Sequence, residues 1–185
     1  GDVGGGNITF VVGYVSETAE GGDDKSEEEI KQETEEQAKK LNYDITYKDA
    51  FAKTSGGKDF SGSFTTTAPE KGVKGIATTL PTAIKTGYTF GGWFVSEKGT
   101  GSPITEIPAN NTKDRVVVYA KWIANKYNVT YVSNGGTYAE DYAPTDQYQH
   151  NGTDVKLPDA EQIFRENYSF LGWFDNENLL GDPVS

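Results

Sequence analysis

The chain reads Tyr88-Thr-Phe-Gly-Gly-Trp-Phe94 in one place and Tyr168-Ser-Phe-Leu-Gly-Trp-Phe174 in another. The aromatic positions of the two stretches match, and a glycine precedes each tryptophan. Aromatic residues at alternate positions are typical of a half-buried β-strand. The recurrence indicates an internal duplication.

Two further landmarks support the duplication. Upstream of the aromatic stretches, Tyr43-Asp-Ile-Thr-Tyr47 returns as Tyr127-Asn-Val-Thr-Tyr131, and Leu80-Pro81 returns as Leu157-Pro158. The landmarks follow in the same order and at nearly the same spacing. We therefore predict two copies of one module, each beginning with a strand of alternating polar and apolar residues.

The first copy closes with the run Arg115-Val-Val-Val-Tyr-Ala-Lys-Trp122, whose β-branched residues favour a strand. The second copy reaches Ser185 before an equivalent run appears. We expect the second copy to be truncated and to expose a sheet edge. A neighbouring chain or the additional strand predicted at Ile8–Val15 is expected to cap this edge.

These motifs together resemble the Listeria–Bacteroides repeat, also called the internalin B-repeat. The resemblance covers residues 43–185 and is strongest at Gly87–Phe94 and Tyr119–Trp122. It implies small β-grasp-like modules arranged in tandem along bacterial cell-surface proteins, and hence an extracellular location on the cell surface.

The predicted fold class is α+β and rich in β-structure. Residues 1–42 are expected to hold an N-terminal strand and an acidic helix, residues 43–124 the first repeat module, and residues 125–185 the second. The helix is predicted to begin after Ser26, because a serine followed three residues later by glutamate forms a capping box, and to end at Leu41.

Between the modules, Ile123-Ala-Asn-Lys126 is predicted to form a four-residue linker. A linker this short couples two modules instead of letting them tumble independently. We therefore expect two modules that are coupled to each other and not two domains that move independently.

The composition limits the classes of partner. The 185 residues include 28 acidic and 17 basic side chains, a net charge of −11 that opposes binding to nucleic-acid phosphates. No apolar run approaches the roughly 18 residues of a membrane-spanning helix, so we predict neither a nucleic-acid partner nor membrane insertion within this chain. The chain contains no cysteine, which excludes disulfides, thiolate nucleophiles and sulfur-ligated zinc.

The aromatic residues of the duplicated stretches are predicted to form small cores, with each glycine allowing the neighbouring indole to pack closely. An exposed platform for stacking on a sugar ring is the alternative. The predicted structural core comprises Trp93, Trp122, Trp173, Tyr88, Phe90, Tyr168 and Phe170.

No catalytic residue, metal ligand or cofactor is predicted. His150 is the only histidine, and a histidine at an Asn-Gly turn is most often a loop residue. The oxygens of Asp175–Asn178 do not follow the spacing of a calcium-binding EF-hand loop, so we predict a turn there. We predict that the chain is not an enzyme.

Two functions remain open. The preferred one is a structural or adhesion segment of an exported bacterial surface protein, in which tandem modules act as a stalk or spacer. The alternative is a recognition module for a host or cell-wall glycan or protein. Its candidate binding residues are the tyrosines of one polar loop, Tyr138, Tyr142 and Tyr148.

Overall fold

The computed structural model describes residues 25–184, and the predicted strand Ile8–Val15 lies outside them. Within the described residues the fold is rich in β-structure, with one helix and several small sheets. The elements are α1 (Glu27–Leu41), β1 (Asn42–Asp49), β2 (Lys58–Asp59), β3 (Ser63–Phe64), β4 (Lys71–Val73), β5 (Thr78–Thr79), β6 (Ala83–Ile84), β7 (Tyr88–Phe94), β8 (Glu106–Ile107), β9 (Arg115–Ala124), β10 (Lys126–Asn128), β11 (Thr137–Tyr138), β12 (Gln147–Gln149) and β13 (Ile163–Phe164).

The predicted capping box and helix are confirmed. The Ser26 hydroxyl accepts a hydrogen bond from the Glu29 amide, and the Glu29 carboxylate accepts one from the Ser26 amide at 2.9 Å. Three glutamates lie in the first turn and two lysines in the last, an order that complements the helix dipole. No residue of α1 is buried, so the helix is solvated along its length.

The largest sheet has the strand order β2-β1-β9-β7, and β4 also pairs with β1. The predicted first strand of the first copy lies in β1, and the predicted closing run lies in β9, so both predictions are confirmed. β7 and β9 are antiparallel, with a shift in register between Phe90 and Trp93. The remaining sheets are two-stranded ladders: β3–β6, β5–β8, β10–β12 and β11–β13.

The second copy forms much less sheet than its sequence predicts. β10 covers only the start of the predicted Tyr127–Tyr131 strand. Residues 168–174 contribute a single bridge, between Trp173 and Val184. The difference has a simple cause: in the first copy β7 pairs with β9, and the described residues of the second copy contain no counterpart of β9.

The chain divides into two compact units built from alternating segments. The described part of unit 1 comprises residues 25–46, Ala68–Leu80 and Glu106–Val117. Unit 2 comprises Tyr47–Thr67, Pro81–Thr105 and the residues from Val118 onward.

Tyr43 is the centre of the small core of unit 1. Its ring is buried, and its hydroxyl lies 2.7 Å from the Thr78 hydroxyl. Gly72 is the register partner of Tyr43 across the β1–β4 ladder, and a Cβ on Gly72 would lie 2.1 Å from the Tyr43 ring. The glycine therefore leaves the space that the tyrosine ring fills.

Trp93 is the centre of the core of unit 2, where its side chain is buried. Its indole N–H donates a hydrogen bond to the Pro81 carbonyl at 2.6 Å, so the buried donor is satisfied. Four aromatic rings have their centroids within 6.2 Å of the indole. They are Tyr47, Phe60, Phe64 and Phe90.

Asp49 is a buried carboxylate in the same unit. Its Oδ1 accepts a hydrogen bond from the Trp122 indole at 2.8 Å and one from the Ser61 amide at 3.3 Å, and its Oδ2 accepts from the Ser61 hydroxyl. The carboxylate thus joins the end of β1 to β9 and to the loop after β2.

Gly92 and Gly172 have a different role from the one predicted. Their φ angles are +102° and +136°, and a Cβ on them would lie 2.7 Å from Pro103 and 2.6 Å from Pro183. These glycines make room for a proline, and not for the neighbouring indole.

The residue after each proline then pairs with a tryptophan. The Ile104 amide donates to the Trp93 carbonyl, and the Val184 amide donates to the Trp173 carbonyl, both at 2.8 Å. The Pro-aliphatic pair is therefore a further duplicated landmark.

We expect Gly92→Ala to destabilise the protein by about 1–3 kcal/mol, because it adds both a positive-φ strain and a collision with Pro103. The matched control is Gly101→Ala, which has φ +91° but no atom within 4 Å of the added Cβ. Urea unfolding, monitored by tryptophan fluorescence, measures the free energy of unfolding of the two variants. Equal losses in the two variants would contradict the proposed collision.

We also expect Asp49→Ala to cost about 1–3 kcal/mol, because it leaves the Trp122 and Ser61 donors without their acceptor. Asp59→Ala, at an exposed position in β2, is the control and is expected to change the free energy of unfolding by less than about 0.5 kcal/mol. Thermal unfolding measures both variants. If Asp49→Ala unfolds at the same temperature as the parent protein, the structural role of the carboxylate is refuted.

Candidate functional site

The joint between the two copies is shorter than predicted. β9 continues to Ala124 and β10 begins at Lys126, so Asn125 alone replaces the predicted four-residue linker. The prediction was wrong because the β-branched run continues pairing past Trp122, with Ile123 opposite Thr89. The two copies are therefore joined almost strand to strand.

Asn125 is held by hydrogen bonds on both sides of the joint. Its amide donates to the Gly87 carbonyl at 2.9 Å, and its side-chain Oδ1 accepts from the Thr89 hydroxyl at 2.7 Å. Its carbonyl accepts from the His150 amide at 2.9 Å. One residue thus binds the first copy through two bonds and the second through a third.

His150 packs against the first copy. Its ring meets the Tyr88 ring edge to face, with centroids 5.1 Å apart, and the Asn151 amide group donates to the Tyr88 hydroxyl at 3.3 Å. A Cβ on Gly87 would lie 2.3 Å from the imidazole, so glycine is required there. His150 lies in a turn, as predicted, but its packing role at the joint was not foreseen.

The second copy contains an open groove of about 730 Å³, bounded by residues 130–136, 160–165 and 168–179. Apolar side chains dominate its lining. They include Val132, Phe164, Tyr168, Phe170, Leu171 and Leu179.

The prediction that Tyr168 and Phe170 are core residues is wrong. Tyr168 is 64% exposed and Phe170 is 38% exposed, and both line the groove. Their counterparts in the first copy, Tyr88 and Phe90, are half-buried in the strand that β9 covers. In the described residues no strand covers Tyr168 and Phe170 as β9 covers Tyr88 and Phe90, which explains the difference.

The predicted tryptophans differ in burial. Trp93 is buried, whereas Trp122 and Trp173 are half-buried. The Trp173 indole N–H donates to the Pro158 carbonyl at 2.7 Å, and the Tyr131 ring lies 5.2 Å away. The second copy therefore repeats the tryptophan–proline bond of the first even where its sheet is incomplete.

The three candidate binding tyrosines do not form one cluster. Tyr138 and Tyr142 lie together, with ring centroids 6.0 Å apart. Tyr148 lies in β12 opposite Tyr127, with ring centroids 5.3 Å apart. The structure thus provides a pair of tyrosines in place of the predicted three-residue platform.

The hydroxyls around the tyrosine pair are partly withdrawn from water. The Tyr138 hydroxyl is buried without a hydrogen-bond partner, and the Tyr131 hydroxyl donates to the Thr145 carbonyl at 2.8 Å. Burial raises the pKa of Tyr131, and the nearby Tyr142, Tyr138 and Asp146 raise it further. Burial, followed by Tyr142, also raises the pKa of Tyr138.

The predicted turn at Asp175–Asn178 is built around Asn176. Its side chain accepts from the Leu180 amide and donates to the Leu180 carbonyl, both at 2.9 Å. Among residues 25–184, no group of three or more His, Asp or Glu side chains is placed to hold a metal ion. The described helix is neither long nor apolar enough to cross a bilayer.

The raised pKa values predict how stability depends on alkaline pH. The folded state holds the Tyr131 and Tyr138 protons more tightly than the unfolded state, whose tyrosines titrate near pH 10. This stabilisation is complete below about pH 10 and is lost as pH rises through the higher folded-state values. Tyr131→Phe is expected to flatten the loss of thermal stability as the pH rises above about 10. An unchanged slope would contradict the assignment, and Tyr127→Phe provides the exposed control.

Comparison with known proteins agrees with this duplicated arrangement. Two proteins of Evansella cellulosilytica are similar over about half of the chain. One, provisionally named a Gly-rich membrane protein, is 30% identical over 104 residues, and the other, provisionally named a membrane protein, is 32% identical over 95 residues. The matched regions are 53% and 51% of this chain but only 12% and 13% of those proteins.

No solved structure matches the chain. The family comparison matches twice, at residues 43–121 and 127–184, and the two matches meet at the joint around Asn125. Its description names a repeat and no enzymatic activity. The chain belongs to the Listeria-Bacteroides repeat domain family.

Proposed function

We propose that the chain is a non-enzymatic repeat segment of an exported bacterial surface protein, and that its tandem modules act as a stalk or spacer. The joint at Asn125 is the observation that carries this proposal. A spacer must transmit orientation from one module to the next, and a one-residue joint with hydrogen bonds on both sides supports that role.

The modules of this spacer are residues 43–124 and 125–185, preceded by residues 1–42. We propose a β-grasp-like module. Its support is the central position of β9 between β1 and β7, which brings the first and last strands of the module side by side.

An envelope location is part of the proposal. The two similar Evansella proteins carry membrane-protein names, and this chain covers a small share of each. A repeat segment that forms a small part of a long envelope protein fits those proportions. The net charge of −11 keeps such a segment soluble.

A rigid joint is testable by distance measurement between the copies. Because the chain has no cysteine, Val95→Cys and Leu180→Cys give two unique labelling sites, both at exposed positions. Double electron–electron resonance between spin labels at these sites is expected to give one narrow distance distribution.

The control is a short Gly-Ser insertion after Asn125, which is expected to broaden the distribution at least about twofold. Antibody labelling of intact cells tests the location separately. A distribution in the parent chain as broad as that of the insertion variant overturns the spacer role.

A recognition module is the second candidate, favoured by the Tyr138–Tyr142 pair. Its partner would be a cell-wall or host glycan or protein. The Tyr142 ring, with its centroid 6.0 Å from that of Tyr138, offers an aromatic face to a sugar.

A glycan array with the parent chain and Tyr142→Ala tests this candidate. Binding that Tyr142→Ala removes and Tyr127→Ala preserves would favour recognition. Absence of binding, or equal binding by all three proteins, removes it.

A further inference from the structure

Two exposed tyrosines face each other across the first ladder of the second copy. Tyr127 in β10 and Tyr148 in β12 are register partners, with ring centroids 5.3 Å apart and ring planes 33° apart. Their residues are 40% and 42% exposed, so both rings are open to water. Aromatic side chains directly opposite each other on one face of a sheet interact across the strands. The fold therefore holds two phenols together at a place that a reagent in solution reaches.

The ladder that carries this pair buries little. β10 and β12 have three residues each, and all six are exposed. Two-stranded ladders are marginally stable without a buried face. Backbone bonds extend the ladder at both ends, from the Val129 amide to the Asp146 carbonyl and from the His150 amide to the Asn125 carbonyl. A covalent link between the two rings restrains these strands together with the contact that Asn125 makes to them.

We propose that Tyr127 and Tyr148 form a site of oxidative cross-linking, at which a peroxidase and hydrogen peroxide couple the two phenols into dityrosine. Each phenol loses one electron and one proton to the oxidant, and the two phenoxyl radicals join through a carbon–carbon bond between their ortho positions. The hydrogens on the joined carbons then move to the phenolic oxygens, which restores both hydroxyls. In sum the protein loses two hydrogen atoms, and one hydrogen peroxide becomes two water molecules.

Proximity favours this link over links between molecules. A radical on one ring has its partner ring 5.3 Å away, whereas a radical on another molecule must arrive by diffusion. Exposed side chains also change rotamer rapidly, which lets the two rings make the short approach that bond formation requires. Because the chain contains no cysteine, no disulfide competes for the oxidant.

Tyr138 and Tyr142 form the alternative pair, and their geometry is less favourable. Their ring centroids are 6.0 Å apart, and the Tyr138 hydroxyl is buried without a hydrogen-bond partner. A phenol gives up its proton together with its electron, so a hydroxyl shielded from water is oxidised less readily. Burial raises the pKa of Tyr138, which opposes loss of the proton in the same way. The structure thus favours Tyr127 and Tyr148 over this second pair.

The probe is a haem peroxidase with hydrogen peroxide, added to a dilute solution of the full 185-residue chain. The monomer, isolated under denaturing conditions, is expected to show dityrosine fluorescence and a mass lower by two hydrogens. Digestion then locates the link, because no Lys or Arg lies between Lys126 and Lys156 and Glu140 is the one glutamate in that stretch. Trypsin and a glutamate-specific protease release residues 127–140 and 141–156 as separate peptides from the untreated chain and as one joined product from the linked chain.

Phenylalanine variants identify the two partners, since phenylalanine keeps the ring but cannot form the phenoxyl radical. Tyr127→Phe and Tyr148→Phe are each expected to lower the yield of joined peptides at least about tenfold. Tyr142→Phe is the matched control and should leave the yield unchanged. In the linked protein the Val129 and His150 amides are expected to exchange with deuterium more slowly than in the untreated chain, because both donate within the tethered ladder.

Four outcomes overturn the proposal. The first is a treated monomer without joined peptides, and the second is a yield that Tyr142→Phe lowers as much as Tyr127→Phe does. The third is dityrosine confined to dimers and larger species, which shows coupling between molecules. The fourth is a linked protein whose Val129 and His150 amides exchange as fast as those of the untreated chain, because the link then does not join the two strands of this ladder.

Discussion

The bond from the Trp93 indole to the Pro81 carbonyl is the constraint on which the first copy depends. A buried N–H without a partner costs free energy comparable to a lost hydrogen bond, so the indole can be buried only where an acceptor reaches it. Proline supplies that acceptor and has no N–H of its own to satisfy. The recurrence of the bond between Trp173 and Pro158 explains why the Leu-Pro pair is duplicated with the tryptophan.

A second constraint follows from the indole's position. Once the ring is fixed, the strand must pass closely beneath Pro103, and only a residue without a Cβ fits there at φ +102°. The strand then bulges between Phe90 and Trp93, and the next backbone bond goes to Ile104. The positions of Trp93, Gly92 and Pro103 therefore depend on one another.

The sequence predicted the features that local chemistry decides. The capping box at Ser26, the strand at Arg115–Trp122 and the duplicated aromatic stretch need no knowledge of distant partners. The Asp49 carboxylate was missed because its partner Trp122 lies far along the chain. The contact of His150 with Tyr88 was missed for the same reason, since no local pattern encodes it.

The prediction that Tyr168 and Phe170 are core residues was wrong because the burial of the aromatic stretch depends on a single neighbouring strand. The two copies have the same aromatic residues in the same order, yet β9 makes one set a half-buried core, while the other set lines an open groove. A periodic pattern specifies which face of a strand is apolar, but not what covers it. The same aromatic stretch is therefore half-buried where β9 pairs with it and exposed where, in the described residues, no such strand is present.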